Sequence, residues 1–556
     1  MPDTPDALAT VRAYHQRSKH RLERYAAGPE TLDWDAQPDP FRRYAGAPLT
    51  ALPLAARDPA TAWADLFAPG RVPAQAPDLD SLGRLFELSL GLAAWKQQGP
   101  DRWAVRINPS SGNLHPTEGW LLCQGVPGLP DGVHHYAPRE HALEWRGALP
   151  PGPPGAPPRA AVALSSIAWR EAWKYGERAF RYVQLDTGHA IGALRYAAAL
   201  LGWRLRARPQ GSAQLARLLG LDRDADFGAA EREWPEALFD LQTDRTDTRA
   251  DTRADPGPDH PWPVCTHWQG QANRLDAHPM YRWPVIDAVA TATQAAEPGE
   301  DPAASARPGP SATTCAATAT TPDPDHNTPP AAQLIRQRRS AQRFDPRARL
   351  PLERLWPLLA ALRPDRPPFD AGPAVARVHP LLFAHRVDGL APGAYLLPRS
   401  DEGRERLRRE LPAALDMAPV PGAPAAAPLL HLADNPALAG TLRTLNCHQA
   451  LGSDAILGFA LLAEFNPLPD PAAYRERLQE AGLVGQVLYL EAEALGLAGT
   501  GIGCFFDDAL HALLGLPEAA EQAALQSVYH FTVGAALPDA RIRTEPPYTH
   551  LERSPA

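Results

Sequence analysis

Four arginines and a serine fall within RQRRSAQRF at 336–344, a density of guanidinium and hydroxyl donors that suits a single phosphate. If Arg338, Arg339, Ser340 and Arg343 sit at a helix N-terminus, free backbone N–H groups add to the same anion site; the plainer reading is a solvated basic helix end. NPSSGNLHP at 108–116 is a loop by composition, and Ser110, Ser111 and Asn113 in it can serve the polar edge of a ring or sugar, or simply make a turn. GTGIG (Gly499, Thr500, Gly501, Ile502, Gly503) is not a dinucleotide loop. Cys504 stands where GxGxxG needs glycine, and the order reads helix, turn, strand rather than strand, turn, helix. What the glycines permit is close approach of backbone to a flat ligand. RIR near the C-terminus puts Arg541 and Arg543 on one face of an extended strand, as a second phosphate clamp or a basic tail. Lys174 and Tyr175, in WKYGERAFRY, can move a proton if burial shifts their pKa values; otherwise they begin an ordinary amphipathic helix. Lysine is scarce, with Lys19, Lys96 and Lys174 against dozens of arginines, so a retained lysine hints that a tunable ammonium is wanted. His134, His135 and His141 have no carboxylate or cysteine pattern to complete a metal site and read as surface or core residues.

These residues need a scaffold, and the chain reads as one scaffold built twice. A stretch at 297–330, rich in Pro, Ala, Thr, Ser and Asp, is expected to be a disordered linker; a smaller irregular stretch surrounds DTRADTRAD. Before the linker, LDTGHAIGALRYAAALLG has helical apolar spacing, then WRLRAR reads as a strand, then comes LLGL. After it, LVGQVLYLEAEALG is the helix, LAGTGIGCFF the turn and strand, and LLGL follows again. LHPTEGWLLC with GVHHYAPREHALE matches VHPLLFAH with GAYLLPRSDE, each a hairpin after His-Pro. RSK at 17–19 and RRSAQR at 338–343, each early in its half, make a third pair. Three pairs in one order argue for duplication. The expected organisation is an N-terminal extension over 1–75, an α+β domain over 76–295, the linker over 296–330 and a second α+β domain over 331–550.

Composition narrows the function. With 55 Lys+Arg against 64 Asp+Glu, the net charge of −9 argues against nucleic acid or anionic membrane as partner. The longest mostly apolar run, 455–465, is shorter than the roughly 20 residues of a membrane-spanning helix. The N-terminus lacks a basic segment followed by an apolar one, so a cytoplasmic location is expected. Five scattered cysteines without a CxxC pair argue against a disulfide scaffold or zinc knuckle.

Taken together, RRSxRxF, the PSSxN-type loop, the glycine turn after the long second helix and the C-terminal basic strand resemble the FMN contacts of the nitroreductase family. The first half is most similar to its SagB-like azoline dehydrogenases, through KYGERAFRYVQLDTGHAIGALRYAAALLG, and YHQRSKH with DWDAQPDPFRRYAGAP looks like the tandem members of that branch. The resemblance implies two nitroreductase-like domains fused into an intramolecular pseudo-dimer, with FMN between them. It places Arg338, Arg339, Ser340, Arg343, Arg541 and Arg543 at the phosphate, Gly499 to Gly503 beside the isoalloxazine, and Ser110, Ser111 and Asn113 on the partner loop. The reciprocal site would need Arg17, Ser18 and Lys19, but WRLRAR replaces its glycine turn and FDAGPAVARVHP lacks SSGN, so one competent and one degenerate site are expected.

The resemblance also implies the chemistry: hydride transfer to flavin N5, with Lys174 as base and Tyr175 as proton relay. The substrate would be a peptide azoline or similar small ring, and a cyclodehydratase-type biosynthetic partner goes with it. The competing readings are an NAD(P)H-dependent nitro or quinone reductase, and a non-catalytic peptide-binding scaffold.

Overall fold

The computed structural model describes residues 6–55, 57–68, 70–152, 154–243, 261–265, 267–296 and 329–551. Residues 297–328 of the expected linker, the DTRADTRAD repeat and Cys315 lie outside them.

The first half supplies β1 (Leu49–Ala51), β2 (Leu92–Gln98), β3 (Asp101–Arg106), β4 (Thr117–Gln124), β5 (Gly132–Ala137), β6 (Ala142–Ala148), β7 (Arg159–Ser166), β8 (Arg204–Ala207) and β9 (Trp234–Gln242). The second supplies β10 (Val378–Ala384), β11 (Gly393–Leu396), β12 (Ala418–Pro419), β13 (Leu430–Asp434), β14 (Leu457–Glu464), β15 (Ala498–Ile502), β16 (Leu525–Gly534) and β17 (Arg543–Glu545). Each half makes a seven-stranded sheet, ordered β1-β6-β5-β4-β7-β9-β8 in one and β12-β13-β11-β10-β14-β16-β15 in the other. Six strands correspond in order and along the chain, β6-β5-β4-β7-β9-β8 with β13-β11-β10-β14-β16-β15, so the duplication legible in the helix and hairpin pairs is also one of topology; the edge strands β1 and β12 come from different points of their halves.

The central strands are buried on both faces, which explains why they read as nearly continuous apolar runs. Along β4, Leu121 and Cys123 enter the large core shared by both halves, while Trp120 and Leu122 enter a core on the opposite face. Along β14, Phe459 and Leu461 face the shared core, and Ala460 and Leu462 a third cluster.

The helices that matter are α1 (Ala7–Arg17), α2 (Ala168–Tyr175), α3 (Ala179–Leu200), α4 (Ser212–Leu219), α5 (Ala331–Gln337), α6 (Ala472–Ala494) and α7 (Asp507–Leu514). The paired LLGL motifs close α4 and α7 identically: Gly220 (φ 69°) and Gly515 (φ 68°) are left-handed C-caps. The long helices α3 and α6 cross through the shared core, buried along nearly their whole lengths. Gly188 and Gly482 set how close they come. A Cβ on Gly188 would lie 2.0 Å from the carbonyl oxygen of Gln479, and one on Gly482 would lie 2.1 Å from that of Leu185. Around this contact the Gln479 amide donates to Gln184 Oε1 (2.9 Å), and His189 Nδ1 lies 3.2 Å from Gln486 Oε1.

The two ends of the chain are exchanged between the halves. Helix α1 lies between the halves: Tyr14 donates to the Glu177 carbonyl of the first (2.8 Å), while on the second His15 bonds Tyr474 (3.0 Å) and Gln526 (3.1 Å), and Lys19 Nζ donates to Asp508 (2.9 Å) and the Glu518 carbonyl (2.6 Å). Strand β17 joins the β2–β3 hairpin of the first half, where Leu92 N donates to the Tyr548 hydroxyl (2.9 Å). This corrects the third pair of the duplication. RSK is not the counterpart of RRSAQR; the first-half segment that reaches the corresponding turn is the one ending at Gln75, whose N–H donates to Leu201 O (3.0 Å). Lys19, fully buried in its ion pair with Asp508, serves structure. His134, His135 and His141 are buried, and His135 lies between Glu144 (2.8 Å) and Glu118 (3.1 Å). Burial opposes its charge, but the two carboxylates raise it to about 9.

Because backbone carbonyls, not flexible side chains, occupy the space, Gly482→Val has nowhere to go. A loss of about 3 kcal/mol or more is expected, seen as a clear fall in apparent Tm by calorimetry, while Gly440→Ala, with open space around it, leaves Tm unchanged or raised.

Candidate functional site

The basic cluster does not open a helix. Ala331–Gln337 forms α5, and Arg338 is its C-cap residue, so RRSAQRF leaves the carboxyl end. A helix C-terminus carries partial negative charge and favours cations. Any anion held there is therefore held by side chains and not by a helix dipole. Beyond the helix, Ser340 pairs in parallel with Gly499, Ala341 N donates to Gly499 O (3.1 Å) and Thr500 Oγ1 donates to Ala341 O (2.6 Å). The arginine-serine segment and the glycine strand β15 are thus joined edge to edge.

Arg338 is only 3% exposed. Its Nη2 donates to the carbonyls of Ile107 (3.1 Å) and Arg106 (3.3 Å) from the first half, its guanidinium lies over the Tyr489 ring (4.9 Å), and its Nε has no partner. Arg339 donates to the carbonyls of Arg336, Arg338 and Ala93. Lys96, on β2, completes a cluster drawn from both halves: burial and the charges of Arg339 and Arg338 lower its pKa. Burial and Arg338 likewise bring Arg339 down to about 10. Among the described residues none of the three cations is in an ion pair. Glu493, whose charge reaches both arginines, accepts from the Arg339 backbone N–H (3.3 Å) instead.

Ser340 is exposed beside this cluster, and its hydroxyl lies 2.9 Å from that of Tyr489, which also accepts from Gly501 N (3.0 Å). The glycines of GTGIG are explained from inside the protein. A Cβ on Gly501 would lie 1.7 Å from the Tyr529 hydroxyl, and one on Gly503 would lie 2.0 Å from the Tyr182 ring. The close approach expected of a ligand is thus made by two tyrosines; Thr500, Gly501 and Gly503 keep partial exposure, and Ile502 is buried.

The facing loop belongs to the first half. Its polar groups hold it in shape: Ser111 N (3.0 Å) and Oγ (2.9 Å) donate to Asp186, Ser110 Oγ accepts from His115 N (2.8 Å) and Asn113 Nδ2 donates to Ala104 O (2.8 Å). Gly112 (φ 58°) turns the loop under the Tyr175 ring; a Cβ there would lie 2.5 Å from the Tyr175 hydroxyl. Burial raises Asp186 to about 7 against the Ser110 and Ser111 bonds.

Lys174 and Tyr175 end α2 rather than begin a helix, and Gly176 (φ 55°) breaks the chain before α3. Lys174 Nζ lies over the rings of Trp34 (5.3 Å) and Tyr175 (5.4 Å), and burial lowers its pKa against Glu171. Tyr175 packs on Tyr182 (4.6 Å), the ring that abuts Gly503, and burial raises its phenol well above the usual value. Glu171 is fully buried with neither carboxyl oxygen bonded; burial and Asp186 raise it well above the usual range. Tyr175 therefore stands between the SSGN loop and the GTGIG turn, with Lys174 beside its ring.

The C-terminal arginines are placed otherwise than expected. Arg541 lies in the turn before β17 and is paired with Asp539 (2.6 Å); its side chain is 74% exposed. Arg543 is on the strand, also exposed, 3.5 Å from Glu545. The strand brings Thr544 opposite Lys96, so the cation delivered to the cluster is the lysine of the other half. Arg343 is exposed, and its charge acts on Asp539. Lys96, Asp186, Tyr182 and Tyr489 were not singled out as site residues from the motifs; lysine scarcity alone pointed at the first.

At the reciprocal position the arginine is in an ion pair, with its Nη1 left without a partner. Gly188 and Gly482, Gly202 and Gly496, and Asp186 and Glu480 share one interval along the chain, which sets Arg195 opposite Tyr489. Arg195 makes a bidentate pair with Asp370 (2.8 and 3.0 Å) of the FDAG loop, and Trp63, Phe67 and Tyr196 pack beside it. Arg17 is tied to Glu177 (2.7 Å) on the protein surface.

Residues 335–535 match the Nitroreductase family. No match was found among curated proteins. Among solved structures, a crystal structure from Anabaena variabilis named as a nitroreductase is 20% identical, with a TM-score of 0.63 over 95% of this chain and 99% of that one. The Escherichia coli microcin synthetase McbBCD complex with truncated pro-MccB17 is 18% identical over 44% of this chain and 94% of that one, TM-score 0.26. A nitroreductase in complex with FMN from Exiguobacterium sibiricum is 15% identical over 37% and 88%, TM-score 0.23. With the Anabaena likeness running through both halves, the fold is that of two nitroreductase-like domains fused in one chain.

Proposed function

We propose that the chain is an FMN-dependent oxidoreductase with a single composite flavin site, and that it dehydrogenates a peptide azoline or a similar small ring. The observation that carries this reading is the cation cluster of Lys96, Arg338 and Arg339. Arg338 is buried without an ion-pair partner, and Lys96 and Arg339 are partly buried beside it; a buried charge without a counter-ion costs several kcal/mol, and an anion arriving between the halves offsets that cost. One phosphate beside Ser340, without a pyrophosphate loop, favours FMN over FAD. The unpartnered Nε of Arg338, the hydroxyl of the exposed residue Ser340, shared with Tyr489, and the partly exposed β15 edge fit such a group. Arg195 and Asp370 neutralise one another at the reciprocal position, which supports one site per chain.

When bound, FMN supplies a two-electron acceptor at N5. The rest falls to the chain. Lys174, its pKa lowered by burial, can be neutral nearer physiological pH than an exposed lysine and takes the substrate proton. Tyr175 keeps its proton and relays through its hydroxyl beside Gly112. Asp186 holds the SSGN loop that walls the same space. A cyclodehydratase-type partner that makes the ring belongs to this reading.

Two variants test it. Arg338→Ala with Arg339→Ala removes two charge-assisted contacts of roughly 1.5 kcal/mol or more each, so FMN binding should weaken by about a hundredfold. Arg195→Ala, at the reciprocal position, should leave it unchanged; fluorescence titration with FMN reads both, and FMN loss only in Arg195→Ala would reverse the choice of site. Lys174→Ala should keep its flavin but slow anaerobic bleaching by a thiazoline-containing model peptide by about 10²–10⁴-fold. An unchanged rate removes Lys174 as base, and bleaching by NADPH but not by the peptide favours a nitro or quinone reductase.

A further inference from the structure

Read in sequence, the cysteines are scattered, but the fold brings two of them together. Cys447 Sγ and Cys504 Sγ lie 2.9 Å apart, closer than ordinary sulfur contact, though the residues are 57 apart in the chain. Both are free and partly exposed. Cys123 and Cys265, by contrast, are buried, and burial pushes their thiols up to about 12 and about 11.

Cys504 directly follows Gly503 of the GTGIG turn. Arg178 clamps the Gly503 carbonyl (3.0 and 3.1 Å) and faces Cys504, as does His20. The hydrogen bond shared with Cys447, then His20 and Arg178, lower the Cys504 thiol; the same bond and burial raise Cys447. An acidic thiol beside a guanidinium, with a second thiol in contact, is the arrangement of an attacking and a resolving cysteine. Gln449 Nε2 donates to Cys504 O (3.2 Å), so the 447–449 loop is already docked on the end of the turn.

We propose that Cys447 and Cys504 form a redox-active dithiol that reacts with small-molecule disulfides and closes reversibly to a Cys447–Cys504 disulfide at the end of the GTGIG turn. The Cys504 thiolate attacks one sulfur of the external disulfide, breaking its S–S bond, forming a mixed disulfide and releasing one thiolate. Cys447, giving up its proton, then attacks Cys504 Sγ and releases the second. The two protein thiols lose two electrons and two protons, and the external disulfide takes them up as two thiols. The site does not depend on a bound flavin.

The test uses the full chain, with and without added FMN, equilibrated in glutathione and glutathione disulfide mixtures of increasing oxidant. Acid quenching, alkylation with N-ethylmaleimide and peptide mass mapping follow. Cys447 and Cys504 should lose alkylation together and appear in one cross-linked peptide, lighter by two hydrogens, while Cys123 and Cys265 stay alkylated after unfolding. Cys447→Ser should trap glutathione on Cys504. Alkylation of both cysteines at the most oxidising ratio, or separate glutathione adducts on each without a cross-linked peptide, would overturn the proposal.

Discussion

The carbonyl oxygens of Gln479 and Leu185 lie 2.0 and 2.1 Å from where the Cβ atoms of Gly188 and Gly482 would be, and this contact sets the distance between the halves. Helices without side chains at their crossing approach until backbone meets backbone, and that approach cannot be adjusted by rotamer changes. Everything described at the site spans the gap so defined. Arg338 of one half reaches the Ile107 carbonyl of the other, Tyr182 lies against Gly503, and His189 lies 3.0 Å from the Tyr529 hydroxyl. A looser crossing would separate Lys96 from the arginines.

Fusion of two like domains frees each interface position to diverge. In a symmetric dimer the arginine segment and the SSGN loop would occur at both sites. Here one position keeps unpaired cations and an exposed serine, while the other holds Arg195 against Asp370 with aromatic rings around it. The exchanged ends follow the same asymmetry: α1 seals the second half through His15 and Lys19, and β17 extends the first-half hairpin that carries Lys96. Stability and site assembly are thus distributed to different copies of one architecture.

Much of this was legible in the sequence, because helix spacing, LLGL caps and His-Pro hairpins depend on local chemistry that duplication preserved. The order of the strands in each sheet was not among what those motifs gave. What was not legible depends on non-local register. RRSAQRF has the composition of an anion site, but whether it begins or ends a helix is decided by α5 before it, whose N-cap is Pro330. Arg541 and Arg543 share the spacing of one strand face, yet Asp539 captures the first in a turn. Lys96 enters the site only because β17 pairs with β2 across the halves. Cys447 and Cys504 meet only because separate loops converge at the turn after β15.

The central claim is that the two halves together make a single flavin site. Its most direct test is the visible absorbance of the purified full chain, with the released chromophore identified by mass and quantified against protein. One FMN per chain is the expected result. Two per chain would show that the Arg195–Asp370 position also binds flavin, and none after reconstitution with excess FMN would contradict the claim outright.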